Sequence, residues 1–204
     1  MRLLDLFCGA GGAAMGYARA GFTVVGVDIE PQPNYPFEFF QADVMKLTSG
    51  AEPEDFSYFD VIHASPPCQA YAPVTAWRGN QADHPDLFAP TRDRLIASGL
   101  PWVIENVPFA PFEPDVVLCG SQFGLPIRRH RWFLFGQPAF QLMPPCQHRS
   151  TDHAFDHGGK TTETEYRAAM GCDWMTVKES RNAIPPAYTE WVGAQLMATL
   201  RAAA

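Results

Sequence analysis

Leu3-Leu4-Asp5-Leu6-Phe7-Cys8-Gly9-Ala10-Gly11-Gly12 opens the chain with a short apolar strand that runs into a glycine-rich turn. Ala13 to Ala20 then reads as a helix ended by Gly21, and Thr23-Val24-Val25-Gly26-Val27 reads as a second strand with Asp28 directly after it. Strand, glycine loop, helix, strand and acid form a nucleotide-type βαβ unit, so the chain is predicted to be α/β. Glycines in the loop let the backbone approach a ligand closely. The acid after the second strand is placed to accept hydrogen bonds from ribose hydroxyls.

The loop departs from the G-x-G-x-x-G of dinucleotide binders and lacks the Lys-Ser/Thr of a phosphate-binding loop. A pyrophosphate is therefore not required, and a nicotinamide-dependent oxidoreductase is disfavoured. A nucleoside ligand with a cationic tail, such as S-adenosylmethionine, fits at least as well, with Asp5 placed to face its sulfonium or amino group. A glycine turn serving only helix packing is the alternative. Asp43, shortly after Phe39-Phe40, is placed either to hydrogen-bond an adenine amino group or to cap a helix.

The remaining composition narrows the class. The chain has 204 residues, 47% of them hydrophobic and 18% charged, which suits one globular domain with a small appendage. No apolar run reaches the roughly 20 residues of a membrane span, and Asp5 inside the first apolar run argues against a signal peptide. Five irregularly spaced cysteines fit a reduced, cytoplasmic setting rather than a disulfide framework. A net charge of −7 argues against nucleic-acid binding over the whole surface, but Arg128, Arg129 and Arg131 form a local basic cluster.

Further along, Asp60-Val61-Ile62-His63-Ala64-Ser65 reads as a buried strand stopped by Pro66-Pro67, and Cys68 follows. That places a thiol at a strand's carboxyl end, where open α/β sheets bind ligands. Trp102-Val103-Ile104 is another buried strand, and Glu105 directly after it sits where low dielectric raises a carboxyl pKa. Val116-Val117-Leu118 and Trp132-Phe133-Leu134-Phe135 are strand-like, with the arginine cluster just before the second. Arginines so placed suit phosphate or base contacts.

Asp5 to Gly12, Pro66-Pro67-Cys68-Gln69, Glu105-Asn106-Val107 and Arg129-His130-Arg131, in this order, resemble the DNA cytosine C5-methyltransferases. Ala183-Ile184-Pro185-Pro186 resembles that family's late motif and Tyr188 to Leu200 its closing helix. The resemblance implies a Rossmann-like S-adenosylmethionine-dependent sheet with helices on both faces, plus a small irregular insert. It implies a catalytic and cofactor domain over 1–135, an insert in place of a target-recognition domain over 136–179, and a returning C-terminal helix over 180–204. It also implies that Cys68 is a nucleophile, that Glu105 holds or protonates the N3 and N4 edge of cytosine, and that Arg131 and Arg129 bind the base carbonyl or a phosphate. Phe7 is implied to stack near adenine, with Gly9, Gly11 and Gly12 along the methionine portion. Asp28 matches the ribose acid and Asp43 the adenine acid, with Ile29 and Pro66 as further cofactor contacts. Asn106 is expected to brace the Pro66-Pro67 loop, and the stretch from Gln69 to about Arg94 to close over DNA. Double-stranded DNA is the implied substrate, its target base flipped out, with S-adenosylhomocysteine as product.

Three positions depart from the family pattern: Ile127 where a glutamine is usual, Ala42 for a glycine, and Ser180-Arg181-Asn182 without the usual glycine. The recognition segment, Gly136 to Glu179, is short, so a short or relaxed target sequence, or a partner protein that supplies recognition, is expected. Its Cys146, His148, His153 and His157 are zinc-type ligands at a non-standard spacing, and a polar loop facing DNA is the favoured reading. The competing readings are the same chemistry on RNA or a free pyrimidine nucleotide, and a non-catalytic DNA-binding subunit.

Overall fold

The apolar runs assemble into one seven-stranded sheet in the computed structural model, which describes residues 1–47, 56–137, 143–148 and 162–203. The strands are β1 (Arg2–Leu6), β2 (Thr23–Asp28), β3 (Glu38–Gln41), β4 (Val61–Ala64), β5 (Trp102–Asn106), β6 (Val116–Leu118) and β7 (Arg131–Phe135). The helices are α1 (Gly12–Arg19), α2 (Pro73–Arg78), α3 (Phe88–Ser98), α4 (Glu163–Met170), α5 (Val177–Asn182) and α6 (Pro186–Ala203). The sheet order is β3-β2-β1-β4-β5-β7-β6. Strands β1 to β5 run parallel, and β7 is antiparallel to both neighbours. This is a Rossmann-like α/β fold. The chain winds outward from β1 to β3 and resumes on the other side of β1 with β4. That reversal creates a crevice at the carboxyl ends of β1 and β4, the usual ligand position in open α/β sheets.

The central strands are buried on both faces, which is why they read as near-continuous apolar runs rather than alternating ones. Leu3, Val24, Val61 and Val103 pack on the face carrying Tyr17 of α1 and Tyr188, Val192 and Leu196 of α6. Leu4, Leu6, Val25, Ile62 and Ile104 pack on the opposite face, with Phe88 and Leu95 of α3. By the two-residue period of a strand, Asp5, His63 and Glu105 share the α1 face, and Asp5 lies beside His63 in register. Three ionisable side chains are thus buried under α1 on adjacent strands β1, β4 and β5.

Helices α1 and α6 meet closely because small residues line the contact. A Cβ on Gly193 would lie 2.8 Å from Ala20 Cβ, and one on Gly16 would collide with Thr189 Oγ1 and the Pro186 carbonyl. Thr189 Oγ1 also donates to the Ala13 carbonyl at 2.8 Å. Gly16→Ala is therefore expected to destabilise the fold despite alanine's better helix propensity. Overpacking of this kind costs about 1–3 kcal/mol, and the melting temperature should fall by several degrees in a calorimetric scan.

Helix α4 starts where Thr162 caps it: Thr162 Oγ1 accepts from the Glu165 amide at 3.3 Å, and the Glu165 carboxylate accepts from the Thr162 amide at 2.7 Å. Tyr166, Ala169 and Met170 cover Ile127 and Ala10, and Trp174 Nε1 donates to the Ala10 carbonyl at 3.0 Å. Ile127, which stands where the family pattern has a glutamine, is therefore a core residue under α4. Of the zinc-type residues named from sequence, His153 and His157 lie outside the described residues.

Candidate active site

Seen from the residues upward, the site begins at the turn after β1. Phe7 has a left-handed backbone, φ 57°, a costly conformation for a side chain with a Cβ. The turn is held by the Cys8 amide donating to the Val27 carbonyl at 3.1 Å. Asp28 at the end of β2 accepts from the Gly9 amide at 2.9 Å and from the Glu30 amide at 3.0 Å. Those two bonds fix the carboxylate and leave lone pairs on both oxygens. Ile29 beside it is 57% exposed, an apolar surface at the crevice rim.

The three loop glycines differ. A Cβ on Gly9 would meet nothing within 4 Å, so its backbone is open to an approaching ligand. A Cβ on Gly11 would lie 2.8 Å from Pro36 Cδ, and one on Gly12 would lie 2.5 Å from the Ile184 carbonyl oxygen. Crowding by the protein itself explains glycine at those two positions. Asp43 caps the 3-10 turn at Val44–Lys46, accepting from the Met45 amide at 3.0 Å and pairing with Lys46 Nζ at 3.4 Å.

Asp5 is fully buried, and neither carboxylate oxygen meets hydrogen-bond geometry with a described residue. Burial first, then the charge of Asp28, raises its pKa well above the ordinary carboxyl range; the nearby Ala14 amide opposes this only partly. A buried carboxyl whose oxygens meet no hydrogen-bond geometry among the described residues is expensive. It fits a ligand that brings its own cation or amine.

At the end of β4, the Tyr71 and Ala72 amides donate to the Cys68 carbonyl at 2.9 Å each. Asn106 Nδ2 donates to the Pro66 carbonyl at 2.9 Å, the brace expected from sequence. Burial raises the Cys68 thiol pKa; Arg131 pulls it down, Glu105 pushes it up, and Arg129 is the weakest influence. The resting group is therefore the thiol. Cys8 also lies at the loop, but its pKa is pushed far above the ordinary thiol range by burial and by Asp5.

Glu105 is 4% exposed. Its Oε1 lies 3.0 Å from Arg131 Nε, an ion pair in distance but out of line for a hydrogen bond. Burial raises the Glu105 pKa, while Arg131, a hydrogen bond from Ser65 and Arg129 lower it. Arg131 is held in turn by donating to the His130 carbonyl at 2.8 Å.

Behind Glu105 runs a buried chain that sequence reasoning missed. Tyr17 Oη lies 2.9 Å from His63 Nδ1, and His63 Nε2 lies 2.9 Å from Ser65 Oγ. Burial pushes the His63 pKa down to about 3, so the imidazole is neutral. An ionised Glu105 can only accept, so Ser65 donates to it. Ser65 then accepts from His63 Nε2–H, and Tyr17 donates to Nδ1. All three donors point toward the carboxylate. The available sequence signal was the pair of polar residues, His63 and Ser65, in an otherwise apolar strand run.

Cys68, Glu105 and Arg131 are thus brought together, whereas Arg129 is engaged elsewhere. Its NH2 donates to the Arg181 and Ala183 carbonyls at 2.7 and 2.9 Å, and its own carbonyl accepts from Tyr188 Oη at 2.6 Å. These bonds tie the lead-in of β7 to the segment before α6. The stretch after Cys68 forms α2, whose Trp77 is 80% exposed with Arg78 over its ring.

The family model for C-5 cytosine-specific DNA methylases matches residues 1–110. The type II methyltransferase M.XorII of Xanthomonas oryzae pv. oryzae is 25% identical over 93% of this chain and 43% of its own length. M.AgeI of Thalassovita gelatinovora is 26% identical over 72% of this chain and 42% of its own. The chain thus spans less than half the length of these relatives. Among solved structures, the Entamoeba histolytica methyltransferase EhMeth superposes with a TM-score of 0.62 at 15% identity, covering 98% of this chain and 97% of that one. The Schizosaccharomyces pombe Dnmt2 methyltransferase gives 0.60 at 15% identity, covering 98% and 99%. Those two likenesses are of fold.

Proposed function

The chain belongs to the C-5 cytosine-specific DNA methylases, and on that premise we propose that it methylates C5 of cytosine in double-stranded DNA through a covalent Cys68 adduct. The observation that carries the reading is the convergence of Cys68, Glu105 and Arg131 at the carboxyl ends of β4, β5 and the start of β7. Cytosine C5 is a poor nucleophile while the ring is aromatic. Addition of the Cys68 thiolate to C6 breaks the aromaticity and makes C5 enamine-like. Glu105 stabilises this step by giving a proton or hydrogen bond at N3, drawing electrons away from C6. Arg131 offsets negative charge at both Cys68 and Glu105. Loss of the C5 proton then lets the ring expel Cys68 as thiolate, a leaving group that a serine alkoxide would not match. We assign Arg129 to holding the β7 lead-in rather than to the base.

S-adenosylmethionine, when bound, supplies the electrophilic methyl group and leaves as S-adenosylhomocysteine. Asp5, with its unpartnered oxygens, would take the cationic tail, Gly9 the close backbone approach, and Asp28 the ribose. Phe7 and Ile29 would face the adenine, Asp43 its amino group, and Pro66 the methionine portion. Gly11 and Gly12 shape the loop through packing.

Two expectations follow. Incubation with methyl-labelled S-adenosylmethionine and either duplex DNA, RNA or dCMP should put label in 5-methylcytosine from the duplex alone; label from RNA or dCMP instead would redirect the substrate assignment. Asp5→Asn should weaken cofactor binding by about 10–100-fold in calorimetry, the worth of one charge-assisted hydrogen bond. It should also flatten the stability–pH curve of the free protein. The folded Asp5 pKa lies above its unfolded value, so the wild type loses stability as pH rises from the unfolded value through the folded one, and the asparagine variant lacks that slope.

The recognition segment between β7 and α5 is short, and we assign it a short or relaxed target sequence, completed by a partner protein where more is needed. No helix among the described residues is long and apolar enough to cross a membrane, and the free cysteines suit a reduced cytoplasm holding DNA, bacterial or phage-infected.

A further inference from the structure

We propose that Cys119, His130, Cys146 and His148 bind one zinc ion in a closed tetrahedral site. One ligand atom from each lies within 4.8 Å of all the others. His130 Nε2 is 3.5 Å from Cys146 Sγ, Cys146 Sγ is 3.3 Å from His148 Nε2, and the two Nε2 atoms are 3.2 Å apart. With Zn–S of about 2.3 Å and Zn–N of about 2.0–2.1 Å, tetrahedral edges come to about 3.6 Å for sulfur to nitrogen and about 3.3 Å for nitrogen to nitrogen. The three measured separations match those edges to within about 0.3 Å.

The fold builds the site from three segments. The antiparallel register of β6 and β7 pairs Leu118 with Arg131, so the next pair outward is Cys119 opposite His130. Cys146 and His148 arrive from the insert and complete the set. The spacing Cys-x10-His-x15-Cys-x-His hides this from a sequence scan, because two ligands come from strand ends. Reading the sequence grouped Cys146 and His148 with His153 and His157 instead.

Groups around the ligands suit a metal thiolate. Ser121 Oγ donates to Cys119 Sγ at 3.6 Å, a donor that stabilises sulfur carrying negative charge, and Gln122 Oε1 fixes the same residue by accepting from the Cys119 amide at 2.6 Å. The same two residues hold the insert: Gln122 Nε2 donates to the Pro144 carbonyl at 2.6 Å, and the Gln147 amide donates to Ser121 Oγ at 3.2 Å. Two thiolates and two neutral imidazoles on a divalent ion give a neutral centre, and binding releases two thiol protons to solvent. The S2N2 donor set favours zinc over hard cations such as calcium or magnesium. Four protein ligands leave no open position, so the ion is structural. It would clamp the insert to His130, whose carbonyl holds Arg131. The inference stands independently of the methyl-transfer reading.

The test uses the full chain without a polyhistidine tag, dialysed against metal-free buffer. Elemental analysis should find one zinc per chain, and X-ray absorption should show two sulfur and two nitrogen neighbours. Replacing zinc with cobalt(II) should give tetrahedral ligand-field bands and a thiolate charge-transfer band. Cys146→Ser, at the exposed ligand, should keep the wild-type circular dichroism while zinc affinity falls by more than about 100-fold, beyond the loss seen for outer-shell partners. His148→Ala should behave alike. Absence of zinc after addition of zinc chloride, an unchanged cobalt spectrum in Cys146→Ser, or an intact mass showing a Cys119–Cys146 disulfide would each overturn the proposal.

Discussion

Cys68→Ala should abolish methyl transfer, a loss on the order of 10⁴-fold or more by analogy with removal of other covalent nucleophiles, while cofactor binding persists. The separation is expected because Cys68 stands at the end of β4 while Asp5, Gly9 and Asp28 stand at β1 and β2. A duplex carrying 5-fluorocytosine sharpens the test. Fluorine at C5 cannot leave as a proton does, so the wild type should stall as a covalent adduct that survives a denaturing gel, and Cys68→Ala should form none. Cys8 cannot substitute, since burial raises its pKa far more. An adduct in Cys68→Ala, or full transfer without one in the wild type, would remove Cys68 from the mechanism. The thiol's raised pKa adds a check on sign. Alkylation of Cys68 should still be accelerating with pH where an ordinary cysteine has levelled off. Arg131→Ala removes the largest influence lowering that pKa, so it should move the curve further up and slow alkylation at neutral pH.

The parts of this site that sequence reading reached are those set by local chemistry. Leu3 to Phe7, Thr23 to Val27 and Trp102 to Ile104 are apolar runs flanked by glycine, proline or acid, and each became a strand of the parallel core. Helix α4 rests on equally local chemistry, since Thr162 and Glu165, three residues apart, cap its start reciprocally. What escaped was set by tertiary contact. Helix α3 was not read because its buried residues are only Phe88, Thr91 and Leu95, too sparse a stripe to stand out. The Tyr17–His63–Ser65 chain needs α1 laid across β4; the polar pair His63 and Ser65 in an apolar run hints at it, but nothing local points to Tyr17. Arg129, read from sequence as a base- or phosphate-binding cation, donates to carbonyls more than fifty residues away, a contact that no local pattern encodes. The Cys119 and His130 pairing depends on the register of two antiparallel strands, which no spacing rule encodes.

Glu105→Gln should lower kcat by about 10²–10⁴-fold, the range for loss of a positioned acid or base, with a smaller change in the affinity for DNA. Glutamine keeps the shape and can still donate a hydrogen bond to the base, but it cannot transfer a proton or pair with Arg131. The pH profile carries the distinguishing information. If protonated Glu105 serves the reaction, activity falls as pH rises through its raised pKa, and Glu105→Gln should lose that limb. Ser65→Ala moves the same limb in a defined direction. Ser65 donates to the carboxylate and lowers its pKa, so its removal favours the proton and should shift the limb to higher pH. His63 is neutral and touches Ser65 rather than the carboxylate, so Tyr17→Phe should move the limb less than Ser65→Ala does. A Ser65→Ala variant with reduced activity but an unmoved limb would make the buried chain a packing feature. A shift to lower pH would refute the donor direction assigned to it. The larger consequence concerns how the fold accommodates its chemistry. Asp5, His63 and Glu105 are all buried under α1, yet His63 is kept neutral and Glu105 sits beside Arg131, whereas both Asp5 oxygens fall outside hydrogen-bond geometry among the described residues and are eased only by the nearby Ala14 amide. The larger unmet demand therefore lies at Asp5, on the proposed cofactor side of the crevice, while Glu105 already has Arg131 and Ser65 beside it, with one oxygen still outside hydrogen-bond geometry.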